Sequence, residues 1–120
     1  MKNTTHITRL LALTANVKLA HWQADSTTND HKTLGKLYDK LDELVDAYAE
    51  ITLGKNGSRE ITISNIILTP NANHRDILNI GLEVVANACH ELTAGEDDDL
   101  NNILADITGE INRTKYLLQV

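Results

Sequence analysis

Apolar residues recur every three to four positions through most of the chain, and the interruptions of that rhythm divide it into four segments. In the first, residues 5–22, Leu10, Leu13, Val17 and Ala20 fall on one helical face. The polar run Asp25-Ser26-Thr27-Thr28-Asn29 follows, and its short oxygen-bearing side chains suit the unpaired amides of a helix's first turn. The second segment, residues 29–53, has the most regular seam: Leu34, Leu37, Leu41, Leu44, Tyr48 and Ile51 alternate by three and four. Gly54-Lys55-Asn56-Gly57-Ser58 is turn chemistry, so the helix is expected to stop at Gly54. The third, residues 74–93, carries two stripes, Ile77/Ile80/Val84/Ala88 and Leu78/Leu82/Val85/Cys89/Leu92, which predicts burial on a broad front. Asn73, with Asp76 three residues on, resembles a cap for it. The fourth, residues 98–118, follows Gly95 and the acidic run Glu96-Asp97-Asp98-Asp99, where carboxylates suit a helix N-terminus, and it turns Leu100, Leu104, Ile107, Ile111 and Leu118 inward.

Four helices of similar length in 120 residues predict one all-α domain over residues 1–120, a four-helix bundle. The connections are unequal. Helices one to two and three to four are joined by short turns, whereas about nineteen residues, in a connector over 54–73, separate helices two and three. Extended, that many residues reach about 60 Å, against about 36 Å for the second helix. Two hairpins joined by a long crossover is the ferritin-like arrangement; a loose loop in an up-down bundle fits the same lengths. Within the connector, residues 61–68 are β-branched and partly alternating but have no second strand, so an ordered segment packed on the bundle, or a short helix, is expected.

A net charge of −6, with no run of Lys or Arg longer than one residue, disfavours nucleic acid as a partner. Only four aromatic residues, Trp22, Tyr38, Tyr48 and Tyr116, argue against a base-stacking platform. No apolar stretch approaches the ~20 residues of a membrane span, and no signal sequence opens the chain. With a single cysteine, Cys89, the expected setting is reducing and cytoplasmic, away from membranes.

The Glu-x-x-His pairs of a di-iron centre inside one bundle are absent, because no histidine has a glutamate three residues before it. A different constellation remains. His21, beside Trp22, ends helix one; His31 starts helix two; Asp46 and Glu50 sit one turn apart further along it. Imidazole with carboxylate is the donor mix for a redox-active metal such as Fe(II). Fifteen residues of helix separate His31 from Asp46 by about 22 Å, so one chain cannot bring both to one ion. Two such helices crossing antiparallel about a twofold axis can, giving two identical sites in a homodimer. The same acids, with Asp39, Asp42 and Glu43, also read as the solvated face of an amphipathic helix. Trp22 is expected as a core or interface anchor and Cys89 as a small hydrophobe. His6, His74 and His90 are given no role, and Asp106 with Glu110 are weaker candidates because they lack a histidine partner. Gly35, Gly81 and Gly109, each inside a helix, are expected where helices approach closely.

His21-Trp22, then His31, then Asp46-x-x-x-Glu50 with a glycine ending the helix resembles the pattern of the Dps mini-ferritins, concentrated in residues 17–54. More narrowly, His31-Lys32-Thr33-Leu34-Gly35-Lys36-Leu37-Tyr38 with Leu41-Asp42-Glu43-Leu44-Val45-Asp46 is similar to a group of ferritin-like proteins of phages and large viruses. The resemblance implies a ferritin-like fold and iron as the metal. It makes His21 and His31 ligands from one subunit, and Asp46 and Glu50 ligands from its twofold mate, with Fe(II) oxidised by peroxide or dioxygen. Two departures stand out: Gly35 occupies the position where the family usually has a carboxylate one turn after the second histidine, and the interval between the histidines is shorter. The basic DNA-binding tail of some family members is also missing. The competing reading is a non-enzymatic helical oligomer, in a phage setting, that sequesters a small molecule or holds a host protein.

Overall fold

The computed structural model describes all 120 residues, Met1–Val120. It contains four helices and no strand: α1 (Thr5–Gln23), α2 (Asn29–Asn56), α3 (His74–His90) and α4 (Asp98–Leu118). Helix α1 packs on α2 and α3, and α4 packs on the same two, so α1 and α4 stand diagonally across the bundle. The core is a single cluster in which Leu10 and Val17 of α1, Leu34 and Leu41 of α2, Leu78 of α3, and Leu100, Leu104, Ile107 and Ile111 of α4 are fully buried. These are the positions the three-and-four spacing selects.

Two of the four helix starts carry a side-chain cap. Thr28 accepts the His31 amide at the head of α2, and the Asn73 side chain accepts that of Arg75 at the head of α3. The end of α2 differs from expectation. The helix runs through Gly54 and stops at Gly57, whose φ of 62° is the left-handed conformation that a helix terminator needs. The Gly57 amide then donates to the Gly54 carbonyl and the Ser58 amide to that of Leu53. Helix α3 ends at His90, three residues early, and is buried on one side only: Ile77, Leu78, Gly81, Val85 and Ala88 face the core while Ile80 is half exposed.

The connector forms no helix. It runs alongside α1 from one end of the bundle to the other, and α1 side chains hold its backbone: Thr4 Oγ1 accepts the amide of Thr62, Thr8 Oγ1 that of Ser64, Asn16 Oδ1 that of Thr69, and Gln23 Oε1 that of Asn71. Asn16 also donates to the Ile67 carbonyl, so one side-chain amide satisfies both kinds of backbone group. Pro70 and the left-handed Asn71 (φ 63°) then turn the chain into α3. The loop-in-an-up-down-bundle alternative is thereby removed: α2 and α3 run parallel, and two antiparallel hairpins are linked by a crossover of full bundle length.

The end of the bundle holding the chain's N-terminus is closed by polar contacts. Asp97, fully buried in the α3–α4 turn, pairs with Lys2 Nζ at 2.5 Å, lies 3.8 Å from Lys55 Nζ and accepts the Thr93 amide at 2.8 Å. Lys2 and these hydrogen bonds hold its carboxyl below the usual carboxylate range.

Candidate metal site at the α1–α2 hairpin

The last turn of α1 and the first turn of α2 place His21 and His31 face to face. Their rings stack with centroids 4.0 Å apart and planes 26° from parallel. His21 Nδ1 donates to the carbonyl of His31 and His31 Nδ1 donates to the carbonyl of His21, each at 2.7 Å. A carbonyl only accepts, so both rings carry a proton on Nδ1, and in the neutral imidazole the lone pair is then on Nε2. A metal-binding histidine is held in this way, with one nitrogen fixed by a backbone oxygen and the other left as a donor.

Gly35 makes the stack possible. A Cβ at this position would lie 2.8 Å from His21 Cε1 and 3.0 Å from His21 Nδ1, inside van der Waals contact, so the imidazole occupies the space a side chain would fill. Gly35 is therefore the floor on which the His21 ring lies. Gly81 has the same relation to the core, with Leu13 Cδ1 2.7 Å from its would-be Cβ. Gly109 does not: nothing lies within 4 Å, so close approach is not its reason.

Asp46 and Glu50 are exposed, one turn apart on α2. Because α2 is continuous from Asn29 to Asn56, Asp46 stays about 22 Å from His31. The single chain thus unites the two histidines and keeps the two acids further along α2; no three His, Cys, Asp or Glu side chains converge within it. Nearer the histidines, Asp25 accepts from the amide and hydroxyl of Thr27, and these bonds hold its carboxyl below its ordinary value.

Between the two ends lies a surface that periodicity alone does not reveal. Trp22 is 65% exposed rather than a core residue, and Leu11 is 54% exposed. Lys18 Nζ sits 4.0 Å from the Tyr38 ring centroid and 5.5 Å from that of Trp22, a cation held between two aromatic rings. The i, i+4 spacing of Lys18 and Trp22 is the sequence signal for half of it. Leu11, Ala15, Lys18, Trp22, Tyr38 and Asp42 line one shallow hollow across α1 and α2.

Two other histidines have local structural partners. His6 is buried, pairs through Nε2 with Glu91, and leaves Nδ1 without a partner; burial pushes its pKa down against the pull of Glu91. His74 lies 4.0 Å from Asp30, joining the starts of α2 and α3. Around His6 is a polar cavity of about 670 Å³, but its lysines are engaged by Asp97 and Asp99, so it reads as a closure of the bundle end. Tyr48, on its inner wall, has its phenol pushed up to about 12 by burial. Cys89 is half buried, and burial raises its thiol, as for an inert small hydrophobe.

No helix is long and apolar enough to cross a membrane. No curated protein and no solved structure matches the chain. A family model does match over residues 21–118, a span that opens at His21 and takes in His31, Asp46 and Glu50. The chain therefore belongs to that family, DUF5856, a family of unknown function.

Proposed function

We propose that the protein binds a divalent first-row metal, iron foremost, in a homodimer, with His21 and His31 of one copy facing Asp46 and Glu50 of the other. The observation that carries this reading is the reciprocal pinning of the two imidazoles through Nδ1, which leaves the two Nε2 atoms without a protein partner, with Gly35 making room for the His21 ring. Further support comes from the hollow over Lys18 and Tyr38. It lies at the level on α1 and α2 midway between the histidines and the acids, where a twofold axis would have to pass to join them. Fe(II) held by imidazole and carboxylate donors is a substrate for oxidation by dioxygen or hydrogen peroxide, which makes a Dps-like, ferritin-like sequestering activity the leading assignment.

Anaerobic Fe(II) titration with native mass spectrometry tests it. One ion per chain is expected, with binding lost in His31→Ala and in Asp46→Ala. A mixture of the two variants should regain about a quarter of wild-type capacity, since half the dimers are mixed and each of those has one intact site. Absence of stoichiometric metal in the wild-type protein, or failure of the mixture to recover any, refutes the shared site.

A second reading, sequestration of a small molecule without chemistry, draws on a different observation. Beneath the connector, between α1 and α3, lies a cavity of about 400 Å³ walled by Leu13, Ile77, Ile80 and Val84, with Asn16 and Asn87 as polar groups. A protein that binds no metal but is stabilised against heat by an added apolar amide would favour it.

A further inference from the structure

We propose that residues 61–65 of the connector pair with the same residues of a second copy as an antiparallel β ladder. The proposal rests on the connector alone and is independent of the metal.

Helix α1 serves the connector as a substitute strand. Thr4 and Thr8 are one helical turn apart, about 6 Å along the axis, and the amides they accept, Thr62 and Ser64, are two residues apart, about 6.6 Å in an extended chain. That match shows the segment is extended there, with its even-numbered amides turned to α1. Alternation turns the amides and carbonyls of Ile61, Ile63 and Asn65 the opposite way, and none of these groups takes a partner within the chain. The outcome is an open edge of β-branched sequence, Ile-Thr-Ile-Ser-Asn, in which Ile63 is 78% exposed. No charged residue falls between Glu60 and Arg75, and no proline precedes Pro70, so the usual guards of a free edge are missing from this stretch.

A second copy satisfies the edge completely. With a twofold axis through Ile63, each Ile63 exchanges both backbone bonds with its mate, and Ile61 of each copy does the same with Asn65 of the other. The ladder then has about six bonds and leaves no outward group of residues 61–65 unmatched. Helix α1 lies behind each strand, so the order helix, strand, strand, helix keeps the two bundles apart. The axis crosses the bundle near Thr8, not near Lys18, so this contact differs from the metal-bearing one; both together would build an assembly larger than a dimer.

Ile63→Pro is the first test, because the Ile63 amide makes no bond inside the chain and its removal leaves the α1 contacts in place. Native mass spectrometry should show half the wild-type mass for this variant, with unchanged helical circular dichroism. The second test is Ile63→Cys in a Cys89→Ala background. Paired residues at the axis have Cα atoms about 5.5 Å apart, within disulfide range, so mild oxidation should join two chains through position 63 and not through a control Ile67→Cys. Equal masses for wild type and Ile63→Pro, or equal crosslinking at 63 and 67, overturn the proposal, as does a strand of another protein found on this edge. Metal titration of the same Ile63→Pro protein reports separately on the shared-site reading, which predicts that binding survives.

Discussion

Replacing Gly35 by alanine sets two opposing effects against each other at one atom. In an open helix, glycine to alanine stabilises by about 1 kcal/mol. Here the new Cβ would meet His21 Cε1 at 2.8 Å and Nδ1 at 3.0 Å, so the ring must move. A shift of even half an ångström away from Gly35 stretches the 2.7 Å bond from His21 Nδ1 to the His31 carbonyl and disturbs a stack whose centroids are 4.0 Å apart. A side chain to backbone hydrogen bond contributes about 1 kcal/mol and ring stacking about 0.5–1.5 kcal/mol. Subtracting the helical gain leaves a net loss of about 0.5–1.5 kcal/mol in urea denaturation. The effect on metal should be larger, because a ligand that loses its positioning bond typically costs 10–100-fold in affinity. Stability and metal binding should thus part company: a small change in denaturation midpoint and at least a tenfold weaker Fe(II) or Co(II) titration. If Gly35→Ala instead stabilises the protein by the full helical increment and binds metal as wild type does, the ring does not rest on Gly35 and the reasoning fails.

Gly109→Ala, where a Cβ meets nothing within 4 Å, should stabilise by about 1 kcal/mol in the same denaturation assay. Gly81→Ala should destabilise by about 1–2 kcal/mol net, since its Cβ presses on the buried Leu13, and the double variant with Leu13→Ala should lose less than the sum of the two single losses. Burial lowers the folded-state pKa of His6, so its contribution to stability is whole above the ordinary value of 6.5 and fades as pH falls below it. The wild-type urea midpoint should therefore drop more between pH 7.5 and 5 than that of His6→Gln. For Asp97, held below its ordinary value of 3.8, the stabilisation is whole above 3.8 and is lost as pH falls further; Asp97→Asn should begin less stable at pH 7 and show a flatter acid limb.

The core was the most legible part of the molecule. Leu10, Leu13, Val17, Leu34, Leu37, Leu41 and Leu104 all lie where period 3.6 puts them, because burial of one face is what that period records. The stop of α2 was misplaced by three residues: Gly54 and Gly57 are both glycine, and only the backbone shows which takes the left-handed turn. Ile80 was assigned to a buried stripe that the bundle leaves half open, since α3 has neighbours on two sides and the connector covers the rest only in part. Asp97 stands in an acidic run. Nothing in Glu96-Asp97-Asp98-Asp99 separates the one fully buried carboxylate from its exposed neighbours, and its lysine partners are 95 and 42 positions away in sequence.

At the candidate site, sequence supplied the residue types and the separation of His31 from Asp46, which follow from spacing on one helix. It did not supply the stack. The mutual carbonyl bonds of His21 and His31 depend on how the turn at residues 24–28 closes, and that is set by Asp25 gripping Thr27 and by Thr28 capping α2. Gly35 looked like a missing ligand because its role is to be empty space.

The way α1 holds the connector also fixes how much chain the crossover requires. Between Thr62 and Ser64 the rungs on α1 consume the full reach of two residues, so no deletion is tolerated there. From Ser64 to Thr69, by contrast, five residues able to cover about 16 Å track an α1 interval, Thr8 to Asn16, of only about 12 Å. The spare length amounts to roughly one residue, and it places the slack in the crossover at the half that leads into α3. Shortening or lengthening of this polypeptide between the two hairpins should be accommodated in that half while the half beside the N-terminus keeps its count.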